Sequence, residues 1–196
     1  MEVGSSIFVR CDDTRLDVLK ALIIGPEGSP YENGCFEFDI WLPPDYPNTP
    51  PKVNLMTTGR GTVRFNPNLY NCGKVCLSLL GTWQGPGWDP VRSTLLQVLI
   101  SIQSLIMVSD PFFNEPGFQN MLGTVQGTSA SGAYNSSVRE ATLRHAMGMC
   151  ICTCRLRTFC RLHRSLLSLI GRRLIGLFIC FIYRTRRRTG EAERGV

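Results

Sequence analysis

A side-chain amide and a thiol eight residues apart, Asn68 and Cys76, are the pair in this sequence best suited to chemistry. They lie in the stretch Phe65-Asn66-Pro67-Asn68-Leu69-Tyr70-Asn71-Cys72-Gly73-Lys74-Val75-Cys76-Leu77, where Pro67 and Gly73 shape the backbone between them. Acyl transfer needs a sulfur nucleophile and a donor for the oxyanion that forms when a carbonyl is attacked. No activating base motif stands beside them, and an ordinary thiol is only slightly ionised at neutral pH, so positioning must supply much of the rate. Cys76 therefore reads as an acyl carrier. The plainer readings are a structural cysteine buried among Val75, Leu77 and Leu79, and a turn asparagine bonding its own backbone.

The elements that must position this strip follow from periodicity. Phe36, Phe38, Ile40 and Leu42 alternate with Cys35, Glu37, Asp39 and Trp41, which predicts a strand with one core face and one partly wet face. Asn33-Gly34 predicts the turn leading into it. Apolar runs at 7–9 and 16–24 precede a Gly/Pro loop over 25–30, and the prolines of 43–51 exclude helix and central strand there. An extended pattern resumes over 52–57, so short strands joined by local turns predict an antiparallel meander. Ser93 is expected to cap an almost wholly core-embedded helix running to about 108. A Gly/Ser/Thr-rich linker is expected over 123–132, and Ser137 with Glu140 predicts a capping box opening a helix over 138–147. Trp83 and Trp88 are expected to be core and loop anchors. Strands first and helices after predict an α+β domain.

Composition divides the chain near Met147. Residues 1–147 hold ten Lys or Arg against thirteen Asp or Glu, whereas residues 148–196 hold eleven Arg, two Glu and no Lys. The basic balance belongs to the tail, so the main domain carries no electrostatic footprint for nucleic acid. Cys72 and Cys76 have no second cysteine pair at zinc-ligand spacing in the domain, and no metal site is expected. Nothing resembling a signal peptide opens the sequence, and free thiols in a chain that is not exported fit a reducing compartment, the cytoplasm or nucleus.

Taken in order, Gly25-Pro26 with Ser29-Pro30-Tyr31 and Gly34, Asp45-Tyr46-Pro47 with Pro50-Pro51-Lys52-Val53, Asn66-Pro67-Asn68 with Gly73 and Val75-Cys76-Leu77, Trp88 with Pro90, and Asp110-Pro111 through Pro116 resemble the ubiquitin-conjugating enzymes (E2). The resemblance covers roughly 15–118. Within the family, Gly81-Thr82-Trp83 and Phe113-Asn114-Glu115-Pro116-Gly117 are more similar to the large E2/E3 hybrids, including those with BIR repeats. No BIR repeat occurs here, so an anti-apoptotic role is not carried over. The resemblance implies a UBC-like α+β fold, an antiparallel meander on a central helix with a C-terminal helix, over 1–147. It implies that Cys76 accepts ubiquitin or a related modifier as a thioester from an E1 activating enzyme and passes it to a substrate lysine. It further implies that Asn68 stabilises the oxyanion or orders the loop, and that Glu115, with Asn114 beside it, orients or deprotonates the incoming lysine. Protein substrates and an E3 ligase are implied partners, and no cofactor is implied, since the activating enzyme consumes the ATP.

Three departures bear on this. Asn66 stands where the family usually has a histidine, which implies changed packing and not lost chemistry. The amphipathic N-terminal helix that meets the activating enzyme is not evident before Ile7, and Asn48 replaces an aromatic residue used to meet ligases. These last two keep a second reading open, a non-catalytic ubiquitin-binding scaffold of the same fold.

The tail, 148–196, falls outside the resemblance. Cys150, Cys152 and Cys154 lack an ordered fourth metal ligand. The apolar stretch 166–183 is interrupted by Arg172-Arg173, and its clean run of ten residues is half of what a membrane span needs. An interfacial helix with Arg184, Arg186, Arg187 and Arg188 on anionic lipid ranks below a disordered tail. Both rank below a segment read from a wrong exon boundary or frame.

Overall fold

In the computed structural model, which describes residues 6–12 and 14–148, the alternation of Phe36, Phe38 and Ile40 becomes the inner face of a strand. Four strands run in chain order: β1 (Ile7–Asp12), β2 (Arg15–Ile24), β3 (Cys35–Trp41) and β4 (Lys52–Leu55). They form one antiparallel sheet of order β1-β2-β3-β4, the expected meander. Its register stacks apolar residues on one side, with Val9 opposite Ala21, Ala21 opposite Phe38, and Phe38 opposite Leu55. Phe36, Phe38, Tyr31 and Phe65 are fully buried, and edge-to-face contacts link Tyr31 to Phe36 and Phe36 to Phe65. Burying each such side chain contributes ~1.5–3 kcal/mol, so this aromatic row anchors the strip that begins at Phe65. On the opposite side of the sheet, Lys20 bonds Asp39 at 2.6 Å and Glu37 at 3.1 Å.

The proline-rich loop is stiffened from outside. It contains a cis Tyr46–Pro47 bond, and Trp88 Nε1 donates to Pro47 O at 2.6 Å while its ring lies against Tyr46. Trp88 is thus the loop anchor that its position suggested. Trp83 is not a core residue. It is 38 % exposed and lines a cleft.

Helix α1 (Leu95–Ser101) continues through a π-helical turn, Ile102–Ile106. Its cap is Thr94, not Ser93. Thr94 Oγ1 accepts from Gln97 N–H, and Thr94 N–H donates to Gln97 Oε1 at 2.8 Å, a complete capping box. Ser93 is spent on the preceding turn, where its hydroxyl accepts from Asp89 N–H. The helix is also less enclosed than its composition suggested. Val98, Leu99, Ile102 and Ile106 are buried, while Leu96, Ile100 and Leu105 are 60 %, 46 % and 62 % exposed. One sheet covers only one face of a helix, so an all-apolar pattern overstates burial.

The expected linker over 123–132 is instead the first half of helix α2 (Val125–Ala141), which passes into a π-helical turn at Thr142–Met147. Thr124 caps it by accepting from Gly127 N–H at 3.0 Å, and Ser137 lies mid-helix with its hydroxyl donating to Ala133 O. The small residues that resemble a linker are what let this helix pack closely. A Cβ on Gly127 would fall on the Met121 carbonyl. Ser131 donates to Asp110 at 2.8 Å, Asn135 donates to Ser109 O at 2.9 Å, and Val138 enters the core. Tertiary anchoring overrides poor intrinsic propensity. The expectations for the tail concern residues outside those described.

Candidate active site

Asn68 and Cys76 are cross-strand neighbours. Cys76 N–H donates to Asn68 O at 2.8 Å, Tyr70 N–H donates to Lys74 O at 3.0 Å, and Leu69 pairs with Val75 between them. Leu69 and Val75 point into the core, so Asn68 and Cys76 share the opposite face of this two-stranded ribbon. Gly73 makes the ribbon possible. It sits at φ 92°, and a Cβ there would meet the Asn54 side chain and lie 2.7 Å from Leu55 O. Gly73→Ala is expected to cost ~2–3 kcal/mol, through the unfavourable φ and the clash. A urea-unfolding midpoint unchanged from wild type would show that the turn relaxes freely.

The ribbon forms one wall of an open cleft of about 900 Å³. Asn68, Cys76, Ser78, Thr82, Trp83 and Asn114 are among its lining residues. Cys76 is only 2 % exposed, so a substrate reaches its sulfur from within this cleft. Asn68 Nδ2 donates to Cys76 O at 3.0 Å. An amide nitrogen carries two protons, so a second donor remains on Asn68. The arrangement can hold a thioester and meet the charge that develops on its carbonyl oxygen.

Asn66, expected only to change packing, is the node of the site. It is fully buried and donates from Nδ2 to Tyr31 Oη at 2.9 Å and to Ile106 O at 2.8 Å. Its Oδ1 accepts from Asn68 N–H at 2.8 Å and from Asn114 Nδ2 at 3.5 Å. One side chain therefore joins the β2–β3 connection, the π-helical end of α1, the strip and the loop over 111–117. Tyr31 Oη donates onward to Phe65 O, and burial pushes its phenol far above the ordinary range, with the Asn66 hydrogen bond opposing. The hydroxyl is a fixed neutral partner.

Thr82, named in the sequence only as part of a resembling motif, has a structural role in the site. Its hydroxyl accepts from Leu77 N–H at 3.0 Å and donates to Val75 O at 2.8 Å, fastening the backbone on both sides of Cys76. Its place in a turn-rich link gave no local signal for this.

The structure separates the two remaining candidates. Asn114 lines the cleft, with its amide turned inward to Leu105 O and Ile106 O. Glu115 is not among the lining residues and is 3.5 Å from Arg64, with both side chains about 40 % exposed. Arg64 also donates to Pro67 O at 2.8 Å and covers the Tyr70 ring at 4.3 Å. Phe112 stacks on Phe118 and meets Phe113 and Tyr134, which holds the loop against α2.

Comparison with known proteins places this geometry in context. The family model described as ubiquitin-conjugating enzyme matches residues 3–142. Human "Dual E2 ubiquitin-conjugating enzyme/E3 ubiquitin-protein ligase BIRC6" is 58% identical over 147 residues, covering 74% of this chain and 3% of that protein. "Probable ubiquitin-conjugating enzyme protein 17" of Caenorhabditis elegans is 53% identical over 150 residues, 75% of this chain and 20% of its own length. "Probable ubiquitin-conjugating enzyme E2 25" of Arabidopsis thaliana is 54% identical over 146 residues, 73% of this chain and 24% of its own length. The chain thus spans a quarter or less of each of these relatives.

Proposed function

Because this chain belongs to the ubiquitin-conjugating enzyme family, we propose that it is an E2-type carrier that takes ubiquitin as a thioester on Cys76 and passes it to a lysine. The observation that carries this reading is the ribbon register, which sets the Asn68 amide across from Cys76 on the wall of an open cleft. Loading is a transthioesterification: the Cys76 sulfur attacks the thioester on the activating enzyme, whose thiol leaves. Discharge exchanges that C–S bond for a C–N bond to the incoming amine. In both steps negative charge grows on the carbonyl oxygen, where a fixed donor is most effective. The partners this implies are ubiquitin or a related modifier, an activating enzyme, protein substrates and a ligase.

The test is loading with activating enzyme and ATP. A band that reductant removes, and that Cys76→Ala lacks, is expected. Its absence with every activating enzyme tried sinks the carrier reading. The near-complete burial of Cys76 is the observation that favours the second reading, a ubiquitin-binding scaffold. Binding of ubiquitin without loading, unchanged in Cys76→Ala, selects it.

Glu115 would act in discharge only after leaving Arg64. An exposed pair of this kind holds ~0–1 kcal/mol, so an arriving amine can displace it. Glu115→Ala is expected to slow discharge to free lysine roughly ten-fold, below the usual ~10²–10⁴ for a general base because Arg64 competes for the carboxylate. Loading at Cys76 should be intact. Equal loss of both steps would make the loop purely structural.

A further inference from the structure

We infer that Arg64 is a positioning residue for discharge: it parks the Glu115 carboxylate outside the cleft, so that removing its charge speeds transfer to lysine. The inference rests on the carrier reading above and deepens it by naming a residue that sets the rate of the second step through another. Arg64 is the fixed member of the pair. Its Nη2 donates to Pro67 O at 2.8 Å, one residue before Asn68, and its guanidinium lies 4.3 Å from the centre of the Tyr70 ring. A hydrogen bond and a cation–π contact thus hold the planar group in place whether or not an anion joins it. Glu115 is the loose member. Its Oε2 is 3.5 Å from the same Nη2, beyond the ~2.7–2.9 Å of a charge-assisted hydrogen bond. The two side chains are 43 % and 40 % exposed, so water screens their attraction.

The backbone that carries Glu115 is held independently of this pair. Phe112 stacks on Phe118 and meets Tyr134 of α2, and Phe118 N–H donates to Glu115 O at 3.1 Å. Asn114 and Pro116, on either side of Glu115, both line the cleft, whereas Glu115 does not. The main chain therefore already stands at the rim, and rotation of one side chain separates the parked carboxylate from the cleft. None of the lining residues is an aspartate or a glutamate, so an arriving ammonium meets no other carboxylate there. Lys74 also approaches the Tyr70 ring, at 5.7 Å, but among the described residues Arg64 is the cation paired with Glu115. Only the released carboxylate can serve the acceptor, and the discharge rate then scales with the released fraction. The usual strength of an exposed ion pair makes this a factor of about two to five.

The experiment uses the full 196-residue chain, with the Cys76 thioester purified and its single-turnover discharge to free lysine followed at low salt. Arg64→Gln should discharge about two- to five-fold faster than the unaltered chain, and Arg64→Lys, which keeps a cation, should return towards the original rate. In a Glu115→Ala background Arg64→Gln should change nothing, because no carboxylate is left to release. Raising the salt to about 1 M, where the screening length is ~3 Å, should speed the unaltered chain by a similar factor and leave Arg64→Gln unmoved. That arm reads the pair without altering the Pro67 turn. An Arg64→Gln thioester that discharges no faster, an acceleration that persists in Glu115→Ala, or an unaltered chain that salt does not speed overturns the inference alone. Absence of any reductant-sensitive thioester on the unaltered chain overturns the carrier reading and this inference together.

Discussion

Single-turnover discharge of the Cys76 thioester to free lysine is expected to fall by ~10²–10³ in Asn68→Ala, the usual loss when one preorganised oxyanion donor is removed. The substitution removes both Nδ2 protons, the one held by Cys76 O and the one left for the reacting carbonyl. Asn68→Asp separates the two effects of the change. It keeps the shape of the side chain and its place on the ribbon, but as a carboxylate it donates nothing. If Asn68 supplies charge stabilisation, Asp is as poor as Ala or worse. Discharge within ten-fold of wild type in both variants would reduce Asn68 to a fastener of the ribbon.

Asn66→Ala is expected to be the most destabilising substitution of a polar residue in the site. It strips the acceptor from Asn68 N–H, leaves Ile106 O with only the longer bond from Asn114, and removes the amide that bonds Tyr31 Oη. All of these groups are buried, and each orphaned one costs ~1–3 kcal/mol, so a total of ~3–5 kcal/mol is expected. Chemical denaturation reads this as a large fall in the midpoint at unchanged slope. Asn66→His, which restores the residue usual in the family, should recover part of the loss, because an imidazole can donate to Ile106 O or accept from Asn68 N–H but cannot reproduce every bond. A loss below ~1 kcal/mol in Asn66→Ala would mean that water replaces the amide and that the node is not structural.

The strip was legible because it is local. Pro67, Gly73 and the eight-residue spacing of Asn68 and Cys76 define a ribbon within one short segment, and the strand alternation in β3 is equally local. Helix α2 was misread for the opposite reason. Its Gly, Ser and Thr residues have the composition of a linker, and contacts with Ser109 and Asp110, remote in sequence, together with the close approach to the Met121 backbone, make those small side chains helix-packing residues. The cap of α1 was misplaced by one residue because Ser93 and Thr94 are equivalent by type, and the turn from Asp89 decided between them.

The sequence by itself determined which residues could do chemistry and the order of elements around them, since residue type, alternation and turn-forming residues act over short range. Only the tertiary structure decided how those residues are used. It turned Glu115 to Arg64 and Asn114 toward the cleft, and made Asn66 the point where four segments meet. Hydrogen bonds and charges act between groups that are near in space, and chain separation does not encode that nearness.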